Sequence, residues 1–243
     1  MISIFRKEIN VFFSSLIGYI ALSVFLVGIG LFVWVFPDTN VLDYGFAGLD
    51  ALFFTAPWVF MFLIPAITMR SFSEEIGLGT IELLATRPLT DLDIILGKYF
   101  AALALVVFSI FPTFTFFYSV YQLGSPVGNI DTGATWGSYI GLVFLGAAFV
   151  AIGIFASSLT KNQIVAFILA VFLCFFFFIA FESLSKLNIF YAKTDDIIEM
   201  LGINAHYVSL SRGVVDTRDV IYFLSLITLF ISFTKVSLES RKW

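Results

Sequence analysis

Residues 136–181 read WGSYIGLVFLGAAFVAIGIFASSLTKNQIVAFILAVFLCFFFFIAF, and Lys161 is the one charged side chain among them. Two apolar runs, Trp136 to Leu159 and Ile164 to Phe181, flank the polar stretch Thr160, Lys161, Asn162 and Gln163. About 20 apolar residues of helix cross the hydrocarbon core of a bilayer, so the pair reads as two membrane spans joined by a tight polar turn. Outward from this hairpin, runs of the same kind occupy Leu16 to Phe36, Ala51 to Met69, Tyr99 to Tyr121 and Val220 to Thr234. Composition agrees, because the 243 residues are 60% hydrophobic and only 12% charged, about half the charge of a soluble domain. The expected fold is an all-α membrane protein, one domain over residues 1–243, with six transmembrane helices embedded in a lipid bilayer.

The flanks of the spans carry the remaining pattern. In residues 1–15, Ile2, Phe5, Ile9, Phe12 and Phe13 recur at helical spacing, with Arg6, Lys7, Glu8 and Asn10 opposite. That spacing predicts an N-terminal interfacial helix lying on the membrane surface. Pro57, Pro65 and Pro112 predict kinks, which either gate a path or shape packing. Arg6, Lys7, Arg70, Arg87, Lys98, Lys161, Lys235, Arg241 and Lys242 all fall on one side of a six-span chain, and the excess of basic residues marks that side, with both termini, as cytoplasmic. The opposite side holds Asp38, Asp43, Asp50, Asp131 and an extracytoplasmic loop over residues 182–219. Within it, Asp195 and Asp196 precede Ile197, Ile198, Met200, Leu201 and Ile203, a pattern for a short helix and an ordered loop.

Several chemistries are excluded. The six apolar runs contain no Asp, Glu, Lys, Arg or His, whereas ion-driven transport needs an ionisable group in the membrane. Gly97-Lys98 is followed by Tyr99 and lacks the upstream glycine of a phosphate-binding loop. His206 has no partner recognisable from spacing and reads as a loop residue, and Cys174 lies among phenylalanines as an inert buried thiol. With a net charge of -4 and no basic tract, no nucleic-acid partner is expected.

The most ordered polar pattern is in residues 70–98. Ser71 followed by Glu74 fits a capping box that starts a short helix. Ile76, Thr80, Leu83 and Leu84 then share a face, Gly77 and Gly79 permit a bend or a close approach, and Pro88 ends the segment. Thr90 with Asp93 repeats the capping signal, so a second helix starts near Asp91 and runs through Lys98 into the third span. The product is a short helix held against the cytoplasmic surface by two spans, although physics alone slightly favours a solvated amphipathic connector.

The run Arg70-Ser71-Phe72-Ser73-Glu74-Glu75, then Gly79-Thr80-Ile81-Glu82-Leu83-Leu84, Pro88 and Gly97-Lys98 resembles the first cytoplasmic loop of ABC-2 type ABC transporter permeases. The resemblance implies that this loop is the cytoplasmic coupling helix that docks on an ABC ATPase subunit. Glu74, Glu75, Gly79, Thr80, Glu82 and Leu83 would make the contact, and Arg87 and Pro88 would fix the exit toward the third span. It also implies no catalytic, cofactor or metal site in this chain, ATP and Mg being bound by the partner ATPase, and a bacterial inner-membrane location. Arg6-Lys7-Glu8-Ile9, Phe12-Phe13, Gly18-Tyr19-Ile20 and Tyr207 to Asp219 give a narrower resemblance, to the gliding-motility permeases (GldF) of Bacteroidota. That resemblance implies a multi-subunit gliding or secretion-system complex with a GldA-like ATPase and either a second permease or a GldG-like membrane-anchored outer-domain subunit. The alternative within the same fold is a non-transporting scaffold that passes ATPase motion to an outer partner.

Overall fold

A computed structural model describes residues 1–43, 45–80, 90–186 and 193–240. Helix α1 (Ile2–Ser14) meets α2 (Leu16–Trp34) at Ser15, whose backbone is extended, and the two axes bend by 73°. A Cβ at Gly18 would sit 2.7 Å from the Phe12 carbonyl oxygen, so only glycine lets the chain double back this tightly. With 19 residues, α2 rises about 29 Å, close to the thickness of a hydrocarbon core, while the bend turns α1 across the bundle end. Then follow α3 (Asp50–Thr68) and α4 (Arg70–Gly77), nearly continuous, and α5 (Asp91–Ile110). A 3₁₀ turn at Phe111–Thr113 leads into α6 (Phe114–Leu123), and α7 (Thr132–Leu159) follows. The next span is α8 (Gln163–Phe175), a π-helical turn over Phe176–Ala180 and α9 (Phe181–Ser185). Helices α10 (Lys193–Glu199) and α11 (Ile203–Ser211) fold over the bundle end before the last span, α12 (Thr217–Glu239).

Among the described residues, five helical stretches are long and apolar enough to cross a membrane, or six when α1 and α2 count as one bent span. The central one is α7, which buries 78% of its apolar window, against 22% for Gln163–Ser185 and 28% for α12. Small residues let α7 take that place, since a Cβ at Gly137, Gly141, Gly146 or Gly153 would run into Gly213, Leu210, Val106 or Thr68 respectively. Close backbone approach through small residues is how helices gain packing contacts in lipid, where burial of apolar surface gives no drive. Cys174 is fully buried, in α8.

The three prolines behave differently. Pro112 lies in the 3₁₀ turn that separates α5 from α6, whereas Pro57 and Pro65 sit inside an unbroken α3. Proline lacks the N–H that would bond the carbonyl four residues earlier, so Pro57 leaves the Phe53 carbonyl without its helical donor. Tyr207 Oη, from α11, donates to that carbonyl at 2.7 Å in a buried site.

Candidate docking site

The expected capping box at Ser71 does not form. Met69 occupies the N-cap position of α4 with helical backbone angles and no side-chain cap. The chain arrives from α3 already helical, so Ser71 lies inside the helix rather than at its start. The second expected cap is present: Thr90 accepts from the Asp93 N–H, Asp93 bonds back to the Thr90 N–H, and α5 begins at Asp91.

The far end of α4 follows from Gly79. Its φ of +70° is a conformation glycine adopts at little cost. The Thr80 N–H reaches the Glu75 carbonyl at 2.9 Å and the Gly79 N–H the Ile76 carbonyl at 3.3 Å, the double bond of a Schellman helix end. A Cβ at Gly79 would meet nothing in the chain within 4 Å, whereas one at Gly77 would lie 2.9 Å from the Lys161 carbonyl oxygen. The bend thus belongs to Gly79 and the close approach to Gly77, across the turn between α7 and α8. Leu78, 71% exposed, forms the tip. Glu74 and Thr80 are half-buried, while Glu75 turns inward and is buried. Glu82, Leu83, Arg87 and Pro88 lie outside the described residues.

Glu75 turns inward because two cations meet it there. Lys7 Nζ of α1 donates to its Oε1 at 2.6 Å, and Lys98 Nζ of α5 lies 3.0 Å from its Oε2. That second contact is an ion pair without hydrogen-bond alignment, since Oε2 is buried and has no hydrogen-bond donor. Lys98 also donates to Glu8 Oε1 at 2.8 Å and to the Ser71 carbonyl at 2.5 Å, with the Phe72 ring 5.1 Å away. Its side chain is 1% exposed. Three helices therefore meet on one ammonium, which has three protons to share. Gly97, beside it, is where α1 crosses α5: a Cβ there would come within 3.0 Å of Ile4 Cβ. The Gly97-Lys98 pair thus makes room for α1 and then ties it down.

The sequence pattern puts Glu8 on the polar face of α1. In the structure, Ile4 and Phe12 are buried and Glu8, midway between them, points to Lys98. The docked ridge is therefore Ile4, Glu8 and Phe12, four residues apart, while Ile2 stays 66% exposed. A cleft of about 220 Å³ opens among α1, α4 and α5 beside this network.

At the opposite end, His206 has partners that spacing could not reveal. It lies in α11, with Nδ1 2.7 Å from Asp219 Oδ1, Nε2 2.9 Å from the Met200 carbonyl and its ring stacked 3.9 Å from that of Tyr222. Asp219, just outside the expected apolar run, is buried in the first turn of α12. Burial raises the pKa of the Tyr207 phenol, which keeps it protonated as the donor to Phe53.

The family model for ABC-2 family transporter proteins matches residues 2–241. The chain belongs to the ABC-2 transporter family. Among curated proteins, none matches the chain. As an ABC-2 permease it is the membrane subunit of an ABC transporter, and permeases of this family work with an ATPase subunit.

Proposed function

We propose that this permease receives ATP-driven motion from a separate ATPase subunit docked on residues 70–88 at the cytoplasmic face, and turns it into movement of its spans. The observation that carries the reading is the bracing of α4. Its inner side is joined to α1 and α5 through Lys7, Glu8, Glu75 and Lys98, while Leu78 at its tip is exposed. Glu74, Gly79, Thr80, Glu82 and Leu83 make the contact, and Arg87 and Pro88 set the exit toward α5. Glu75 acts from inside, holding the helix. The basic residues Arg6, Lys7, Arg70, Lys98, Lys161 and Lys235 favour the cytoplasm for this end. Glu74→Lys and Glu82→Lys reverse charges against a basic cleft, where like charges cost several kcal/mol; both variants should insert normally but recover less ATPase in pull-downs. Parent-like recovery from both, with docking lost on changes in residues 160–163, would assign the contact to the other loop.

We also propose that the assembly is the gliding-motility or associated secretion-system complex. The residues of that narrower resemblance have structural work in this chain: Lys7 and Glu8 in the network, Tyr207 on α3 and Gly213 at φ +83° against α7. Purification from native membranes should bring down a GldA-like ATPase together with a GldG-like outer-domain chain; recovery of an ATPase alone would remove the gliding assignment. The firm docking of α11 on the bundle supports a second reading, in which motion passes to an outer partner without cargo. Cargo-independent ATPase activity of the purified assembly would favour it.

A further inference from the structure

The first N–H groups of a helix have no partner within it, and Met69, at the N-cap of α4, offers none. The missing cap comes from another helix. Ser157 Oγ of α7 accepts the Phe72 N–H at 3.0 Å and the Ser73 N–H at 3.1 Å, and donates to the Met69 carbonyl at 2.9 Å. Ser157 is fully buried. One hydroxyl thus serves both sides of the break between α3 and α4, the donors ahead of it and the acceptor behind.

Contacts four residues to either side flank this joint, one in α7 and one in the turn that follows it. On one side, Gly153 admits Thr68, whose Oγ1 would lie 2.1 Å from a Cβ there, and on the other the Lys161 carbonyl approaches Gly77. At its opposite end α7 carries α11, through Ser138 Oγ donating to the Ser211 carbonyl at 2.8 Å and Leu210 packed on Gly141. Among the spans α7 is the most enclosed, so a displacement delivered to it reaches the neighbours packed around it.

We propose that Ser157 is a positioning residue that yokes α4 to α7, so that a push on the docking helix is delivered to the central span and through it to α11. The proposal rests on the docking reading above. It differs from a push passed down α3 alone, which would need no bond across to α7.

The test uses the full chain in lipid nanodiscs with spin labels at Leu78→Cys and Ile140→Cys, both exposed, Cys174 being buried. Ser157→Ala removes the joint, and Ser109→Ala is the control, a buried serine whose hydroxyl bonds the Val106 carbonyl in its own helix. In the chain alone, the parent and Ser109→Ala should give one narrow distance and Ser157→Ala a broadened or shifted one. In the complex with its ATPase, for labelled chains that recover as much ATPase in pull-downs as the unlabelled parent, trapping nucleotide should leave the distance unchanged in the parent and the control but shift it in Ser157→Ala. An unchanged distribution in Ser157→Ala, or an equal change in Ser109→Ala, overturns the proposal. Because the first comparison contains no ATPase, it tests the joint even where the docking reading fails.

Discussion

Lys98 sits at 1% side-chain exposure with Glu8 and Glu75 as its counter-ions. A buried pair adds little over a well-packed apolar replacement, but removing one member strands the others and costs about 3–5 kcal/mol. Lys98→Met should therefore lower the thermal midpoint sharply in detergent, because two carboxylates would then share the junction with only the half-exposed Lys7 beside them. Adding Glu75→Gln to that variant should recover part of the loss, and a simple sum of the two single effects would show that the residues do not act as a unit. Lys7 supplies a pH test. Burial pulls its pKa down, but the hydrogen bond to Glu75 and the charges of Glu75 and Glu8 outweigh that and leave it above the ordinary 10.5. A raised lysine pKa stabilises the folded state fully below the unfolded value and ceases to as pH rises through the folded one. The mobility of a spin label at Ile2→Cys should accordingly stay constant up to pH 10.5 and rise only above it; release of α1 near neutrality would contradict the assignment.

Helix α11 is fastened to α3 by a bond that exists because of a proline. Tyr207→Phe leaves the buried Phe53 carbonyl unsatisfied, a loss of about 1–3 kcal/mol. Pro57→Ala restores an N–H four residues after Phe53, so in that background Tyr207→Phe should cost far less. Thermal midpoints of the four proteins measure the coupling, and additive effects would mean that the carbonyl is satisfied in some other way. The same contrast explains what could be read in advance. Thr90 and Asp93 cap α5 over three residues, and that local spacing is visible in the chain. The cap of α4 comes from Ser157, more than eighty residues away, and the donor to Phe53 from Tyr207, 154 residues away. Spans are equally legible, because bilayer thickness imposes a local length on every one of them. Lys98 and Asp219 fall outside the apolar runs of the sequence, yet both are buried, since a helix does not stop where its hydropathy does.

At the scale of the molecule, the contacts place α1 and the last turns of α12 at one end of the bundle. Glu75 and Lys98 meet α1, Gly77 meets Lys161, and Ser237 of α12 donates to the Ser158 carbonyl. The opposite end gathers the turns before α3 and α7 and the α10–α11 cap, where Gly213 nests against Ala134. A bilayer between these ends would make them inaccessible to one another's solvent, and the cytoplasmic orientation proposed for the first end rests on its basic residues. Single cysteines can read this directly, because Cys174 is fully buried and should not react with a charged maleimide. Leu78→Cys, at 71% exposure, should label only when the reagent reaches the cytoplasmic side. Val127→Cys and Val214→Cys, at 63% and 60%, should label from outside in intact cells. Labelling of all three from one side would remove the spanning arrangement of α5, the crossing between Leu78 and Val127. Leu78 reacting from outside while the other two are protected would keep the fold and invert its orientation, placing α4 where no cytoplasmic ATPase could reach it.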